Sequence, residues 1–367
     1  MNKIKIVTFQ NAYNYGAILQ CIGLYNFLKK NKYKVEILNY DNLNISNDYK
    51  VFKKVRGNHP VLRFIKYSYR GIVNYKNLTL RKNAFENFLN DNSNLTQKMT
   101  KEEIIQERFA NQIFIVGSDQ VWNSRITHGI DQIYTLDFSD NIKKISYAAS
   151  IGRDNLSEND IIKLCNKLGK FNHISVRENT AKELLSGYLK NNIDVVLDPS
   201  FLLSEQEWLN VANQNERIIN EPYIFVYMSL GECTKIANYL QRLTNFKIIY
   251  IDEKNIFYRN SENVSWATPF DFINLIKYSE YVITTSFHAS VFSIIFKKKF
   301  WVVLPKFVGS RITDLLEEFK LGNRIVNSVD MFSRKNYEED INYEEVFKLV
   351  NIKIKKSKEW LKNAIEK

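Results

Sequence analysis

Only three cysteines, Cys21, Cys165 and Cys233, occur among the 367 residues. Their odd number, wide separation and helix-like apolar surroundings argue against both a disulfide framework and a metal knuckle. Histidine is nearly as scarce, and His59, His128, His173 and His288 show no metal-ligand spacing. Neither a metal nor another cofactor is therefore expected. No run of about 18 apolar residues is present, so no membrane-spanning helix is predicted. The opening residues Met-Asn-Lys-Ile-Lys-Ile-Val-Thr-Phe alternate as a strand does and lack the apolar region and cleavage site of a secretory signal. A cytoplasmic location is the expectation. The spaced glycines of a dinucleotide fingerprint are missing as well. So are zinc-finger, helix-turn-helix and RNP-type patterns, and no nucleic-acid partner is expected.

Acidic residues are absent from one whole stretch, Val51 to Lys82, which carries Lys53, Lys54, Arg56, Arg63, Lys66, Arg70, Lys76, Arg81 and Lys82. Phe52, Phe64, Tyr67, Tyr69 and Tyr75 are interleaved with these cations. Arg63, Lys66 and Arg70 fall at helical spacing beside Leu62, Ile65 and Tyr69. Such a face suits an anionic membrane surface or a lipid-phosphate acceptor, and would place the protein peripherally at the inner membrane. It suits equally a solvated helix in a basic protein of net charge +12 and pI near 9.3.

What is abundant is alternation. With 45% hydrophobic and 25% charged residues the chain reads as globular, and its length favours two domains. Strands are predicted at Lys3–Phe9, Val35–Tyr40, Gln112–Gly117, Ile145–Ala149, Ile174–Arg177 and Ile193–Leu197. A second series follows at Tyr223–Ser229, Lys247–Ile251, Tyr281–Thr285 and Phe300–Leu304. Amphipathic stretches lie between them, such as the stripe Ala17, Cys21, Leu24 and Leu28. Thr268 and Pro269 read as the N-cap and first turn of a helix. This is α/β architecture with parallel sheets. Two series imply two similar lobes, expected at 1–205 and 206–342, with a basic C-terminal helix at 343–367.

Chemistry-bearing residues cluster where strands turn into helices. There, unpaired N–H groups and the helix dipole favour anions. Asn14, Tyr15 and Gly16 end the first loop, where glycine allows close ligand approach; a purely structural loop is equally compatible. Asp119, Gln120 and Asn123 follow the third strand beside Trp122. They could hydrogen-bond sugar hydroxyls while Trp122 stacks on the ring, or they could cap a turn over a core tryptophan. Arg177 ends a strand, and Arg311 lies in Gly309-Ser310-Arg311-Ile312-Thr313-Asp314. Each could clamp a carboxylate or phosphate, or pair with a neighbouring acid. His288 stands between Ser286 and Ser290 at the sharpest strand-to-helix switch in the chain, residues 281–296. It could move protons next to a bound anion or simply pack between elements.

In order along the chain, Asn14-Tyr15-Gly16-Ala17 with Gln20, Gly117 through Asn123, Tyr147-Ala148-Ala149-Ser150, Ser175-Val176-Arg177-Glu178, Asp198-Pro199-Ser200 and Ser286-Phe287-His288 resemble the polysaccharide pyruvyl transferase family. The resemblance implies a two-lobed, glycosyltransferase-B-like fold with an interlobe cleft. It also implies transfer of pyruvate from phosphoenolpyruvate to a sugar diol as a ketal, with release of phosphate, during synthesis of a cell-surface polysaccharide. The acceptor would be a sugar or a lipid-linked oligosaccharide held by Asn14, Tyr15, Gly16, Asp119, Gln120 and Asn123. Arg177, Ser286, Ser290 and Arg311 would hold the donor, and His288 would be the general acid. Family members carry arginine, leucine and glycine where this chain has Ser286, Phe287 and Ala289, so Arg311 or Lys306 would substitute, or the donor differs. The alternatives are a glycosyltransferase using a nucleotide sugar on the same scaffold, and a non-catalytic carbohydrate- or anion-binding protein.

Overall fold

The computed structural model describes residues 3–46, 75–152, 156–212, 218–228, 231–252, 259–305 and 310–367, with side chains in the second span from residue 79 onward. Most of the basic stretch 51–82, as far as residue 74, lies outside the described residues, and so does Lys306.

Two separate parallel sheets organise the chain. The first contains β1 (Ile4–Val7), β2 (Val35–Ile37), β3 (Gln112–Val116), β4 (Ile142–Ala149), β5 (His173–Val176) and β6 (Ile193–Val195), in the spatial order β2-β1-β3-β4-β5-β6. The second contains β7 (Tyr223–Tyr227), β8 (Lys247–Ile251), β9 (Ser261–Asn263), β10 (Tyr281–Thr284) and β11 (Lys299–Val302), in the order β11-β10-β7-β8-β9. Every pairing in both is parallel. Parallel strands need long crossovers, and helices cover both faces, so central strands are largely apolar, and Lys5 inside β1 is buried only with its ammonium paired to Glu36 at 2.9 Å. All four residues of β1 and all five of β7 are buried.

The order also fixes where each sheet reverses direction of growth. In the first sheet the strands diverge from β1, with β2 on one side and β3 on the other. In the second they diverge from β7, with β8 on one side and β10 on the other. At such a switch point adjacent crossovers go to opposite faces, leaving a crevice at the carboxyl ends of the strands.

The chain divides into two compact units. One comprises Met1–Arg177, Ala181–Pro199 and Leu361–Lys367; the other comprises Glu178–Thr180 and Ser200–Trp360. The final helix, Tyr343–Glu366, ends in the first unit, where Lys143 Nζ donates to the Ile365 carbonyl at 3.0 Å and Tyr33 Oη to Glu366 at 2.9 Å. The helix Pro269–Lys277 starts at the predicted cap. Thr268 accepts from the Asp271 amide at 3.2 Å, and Asp271 accepts in return from the Thr268 amide at 2.8 Å. The helix Phe287–Ile295 is buried on every side, its polar His288, Ser290 and Ser293 along with its apolar residues. Phe292 alone meets Trp208 and Phe272 edge-on at 5.0 and 6.3 Å. Burying a side chain of that size is worth about 1.5–3 kcal/mol.

Candidate active site

In the first unit, the loops after β1 and β3 leave the switch point side by side. Thr8 Oγ1 donates to the Ser118 carbonyl at 2.8 Å, and Gln20 Nε2 donates to Thr8 Oγ1 at 2.9 Å. Asn14 is the N-cap of the helix Tyr15–Lys30, its Oδ1 accepting from the Gly16 and Ala17 amides at 3.0 and 3.3 Å. The Gly16 N–H, expected to face a ligand, is thereby turned onto Asn14. Tyr15 is fully buried, its ring 5.0 Å from Phe85 and covered by the Arg81 guanidinium at 5.3 Å. Arg81 also donates to the Tyr13 carbonyl at 3.1 Å, so the described end of the basic stretch ties down this loop. Of the three residues expected here, Asn14 and Gly16 shape the helix start and Tyr15 supports it from below.

Beyond β3 the chain makes a strained turn. Asp119 has φ of +96°, outside the usual range of a residue with a Cβ, and its carbonyl accepts from the Ser150 amide at 2.9 Å. Its Oδ1 accepts from the Gln120 amide at 2.8 Å, while Asn123 Nδ2 donates to Gln120 Oε1 at 2.7 Å. These three polar residues stand together. Trp122 does not join them as a stacking platform: it is buried in the core, and its indole N–H donates to the Tyr134 carbonyl at 3.1 Å.

Arg177 meets a carboxylate of the chain itself. Its Nη1 donates to Asp198 Oδ2 at 2.9 Å and to Ser118 Oγ at 3.1 Å, and Ser118 Oγ donates to the same carboxylate oxygen at 2.8 Å. The two charged side chains are 2% and 0% exposed. This buried pair knits the ends of β3, β5 and β6, and Asp198 neutralises the charge that was expected to clamp the donor. The Asp-Pro-Ser signal after β6 had been visible in sequence, but not which arginine it would serve.

In the second unit the switch point lies between β7 and β10. Thr284 and Thr285 donate across it to the Tyr227 and Met228 carbonyls at 2.7 and 2.8 Å. Ser286 is the N-cap of the helix Phe287–Ile295, accepting from the Ala289 amide at 3.3 Å. Its hydroxyl is therefore engaged in the fold. Ser290 is fully buried and returns its hydroxyl to the Ser286 carbonyl at 2.9 Å, which leaves it no surface for a donor. His288 occupies the first turn, 7% exposed, with its ring edge-on to Phe287 at 5.2 Å. Arg311 lies half-buried in the first turn of Ser310–Glu318. Three residues along that helix, burial pushes the Asp314 carboxyl above the ordinary aspartate range, against the pull of the Asn179 amide that it accepts at 3.2 Å.

Nucleophilic thiol chemistry has no support here. Burial pushes Cys165 to about 11 and Cys21 further, and Cys233 is buried too. Among the described residues no group of three or more His, Cys, Asp or Glu side chains could hold a metal ion. No helix among them is long and apolar enough to cross a membrane.

Several solved structures share the architecture. A UDP-N-acetylglucosamine 2-epimerase superposes with a TM-score of 0.55 at 10% identity, covering 100% of this chain and 94% of that one. The Neisseria meningitidis UDP-GlcNAc 2-epimerase bound to UDP-GlcNAc gives 0.52 at 11% identity, covering 100% and 99%. The S. aureus MnaA–UDP complex gives 0.53 at 12%, covering 96% and 92%. At these identities the likeness is one of fold, that of glycosyltransferase-B-like proteins with two Rossmann-like lobes. No curated protein matches the sequence. The family described as polysaccharide pyruvyl transferase matches residues 14–306, which includes the helix start at Asn14, the loop after β3 and the strand-to-helix turn at His288. The chain belongs to the polysaccharide pyruvyl transferase family.

Proposed function

We propose that the protein transfers a pyruvyl group from phosphoenolpyruvate to two hydroxyls of a sugar, forming a cyclic ketal and releasing phosphate. The observation that carries this reading is the position of His288: the first turn of a buried helix, at the switch point of the second sheet, inside the matched region. An imidazole can donate and accept a proton near neutral pH. His288 gives its proton to the methylene carbon of phosphoenolpyruvate, and C2 acquires oxocarbenium character. One sugar hydroxyl adds to C2. The C2–O bond to phosphate breaks, the second hydroxyl adds, and the ring closes. One hydroxyl proton returns to His288 and the other leaves with the phosphate.

The roles expected from sequence narrow accordingly. Arg311 is the described cation retained for the donor's anionic groups, because Arg177 is neutralised by Asp198. Ser286 aims the helix start rather than gripping the donor. Asp119, Gln120 and Asn123, at the switch point of the first sheet, are assigned to the sugar. The Asn14 loop stands next to them as a support.

The rival donor, a nucleotide sugar, needs a base pocket and pyrophosphate contacts. Thermal denaturation separates the two. Phosphoenolpyruvate at a hundredfold excess over its Kd stabilises the protein by about 2.7 kcal/mol, read as a raised Tm, whereas UDP- and GDP-sugars leave Tm unchanged. Stabilisation by a nucleotide alone contradicts the reading.

A further inference from the structure

Next to the polar cluster of the first unit lies a glycine whose missing side chain is filled by a neighbour. Gly152 is buried, has φ of +67°, and a Cβ placed on it would stand 2.0 Å from Gln120 Oε1, 2.5 Å from Cδ and 2.6 Å from Cγ. The Gln120 carboxamide therefore occupies the volume that any other residue at 152 would claim.

The orientation of that carboxamide follows from a chain of donors. The Arg125 backbone N–H can only donate, and it donates to one amide atom of Asn123 at 3.1 Å, which must be Oδ1. The Asn123 nitrogen then faces Gln120 at 2.7 Å, so Gln120 must present its oxygen there. Two N–H donors of Gln120 Nε2 remain. Gln120 is half-buried, and among the described residues no acceptor takes them.

We propose that Gly152 is a positioning residue for recognition of the sugar: by lacking a Cβ it seats Gln120 so that Nε2 donates to a hydroxyl oxygen of the acceptor. The proposal rests on the pyruvyl-transfer reading only in naming that acceptor. It assigns specificity of a definite kind at that one contact, since an amide nitrogen presenting donors alone favours a ligand oxygen with its lone pairs turned toward it.

Gly152→Ala is a fair probe, because the atoms it meets belong to a flexible side chain and left-handed backbone costs alanine about 1–2 kcal/mol. The variant folds, with Gln120 displaced. In ¹H–¹⁵N spectra the Gln120 side-chain amide, identified by its disappearance in Gln120→Ala, shifts in Gly152→Ala. It also shifts in the wild type on addition of methyl β-D-galactopyranoside or methyl α-D-mannopyranoside. In kinetics, Gly152→Ala raises the KM for the sugar about tenfold, with kcat and the KM for phosphoenolpyruvate held within about twofold. Gly152→Ala/Gln120→Ala is no worse than Gln120→Ala alone. An unmoved amide in Gly152→Ala, an amide indifferent to both glycosides, or multiplicative losses in the double variant overturns the proposal. So does an unchanged sugar KM in Gln120→Ala, which would mean that Nε2 holds only water. A wild type inert with phosphoenolpyruvate and every sugar instead defeats the pyruvyl reading, and the spectra still decide the role of Gly152.

Discussion

At the scale of single residues, the structure shows which polar side chains are engaged in holding the fold. Arg177 is one of them. Its residue type and strand-end position fit an anion clamp, but a carboxylate from the same unit reaches it first. A pair buried this deeply is costly to break from one side: Asp198→Ala leaves an uncompensated guanidinium and lowers stability by about 3–5 kcal/mol. Arg177→Met/Asp198→Leu, which removes both charges, recovers most of that loss. Urea denaturation measures it; a deficit under about 1 kcal/mol for Asp198→Ala would show that the pair does not hold these strands. Trp122 and Ser290 teach the same lesson. An indole beside polar residues and a serine two positions from a histidine are chemically suited to ligands, and only tertiary burial reveals that both are core. Gly152 was missed altogether, because its significance is a neighbour 32 positions away in sequence, Gln120, and no local pattern records that contact.

At the scale of elements, strands with apolar runs were legible and the polar one was not. Lys247–Ile251 has the predicted bounds, and nine other predicted strands overlap observed ones. β9, Ser-Glu-Asn, has no apolar residue, since an edge strand with half-buried side chains needs none; it pairs with β8 through its backbone and through the Lys247–Glu262 ion pair at 2.9 Å. The strand after Tyr223 stops at Tyr227, two residues short of the prediction, where Met228 adopts φ of +55° and offers its carbonyl to Thr285. Helix starts signalled by side-chain chemistry were readable because the signal is local. Thr268→Ala removes one half of a reciprocal cap and costs about 1 kcal/mol, while Thr268→Ser stays within about 0.5. Equal stability of the alanine variant and the wild type in chemical denaturation would show that the cap is not load-sharing.

At the scale of the whole molecule, two series of alternating elements do become two parallel sheets, because β-strands joined by helical crossovers have few other ways to bury both faces. What periodicity cannot state is strand order, and strand order decides which loops meet. With β1 beside β3, and β7 beside β10, the loops carrying Asn14 and Gln120 adjoin, and the helix carrying His288 starts at a switch point. The ordered motifs thus acquire a physical reason for their spacing: each ends a strand or follows one. The basic excess of +12 fits the anionic chemistry of a phosphorylated donor, although its densest stretch lies largely beyond the described residues. The most direct test is phosphate release from phosphoenolpyruvate, measured with and without a panel of sugar diols, for the wild type and His288→Ala. The account predicts release that requires a sugar and falls by at least about 10²-fold in the variant. Release indifferent to sugar, or undiminished without His288, would contradict it.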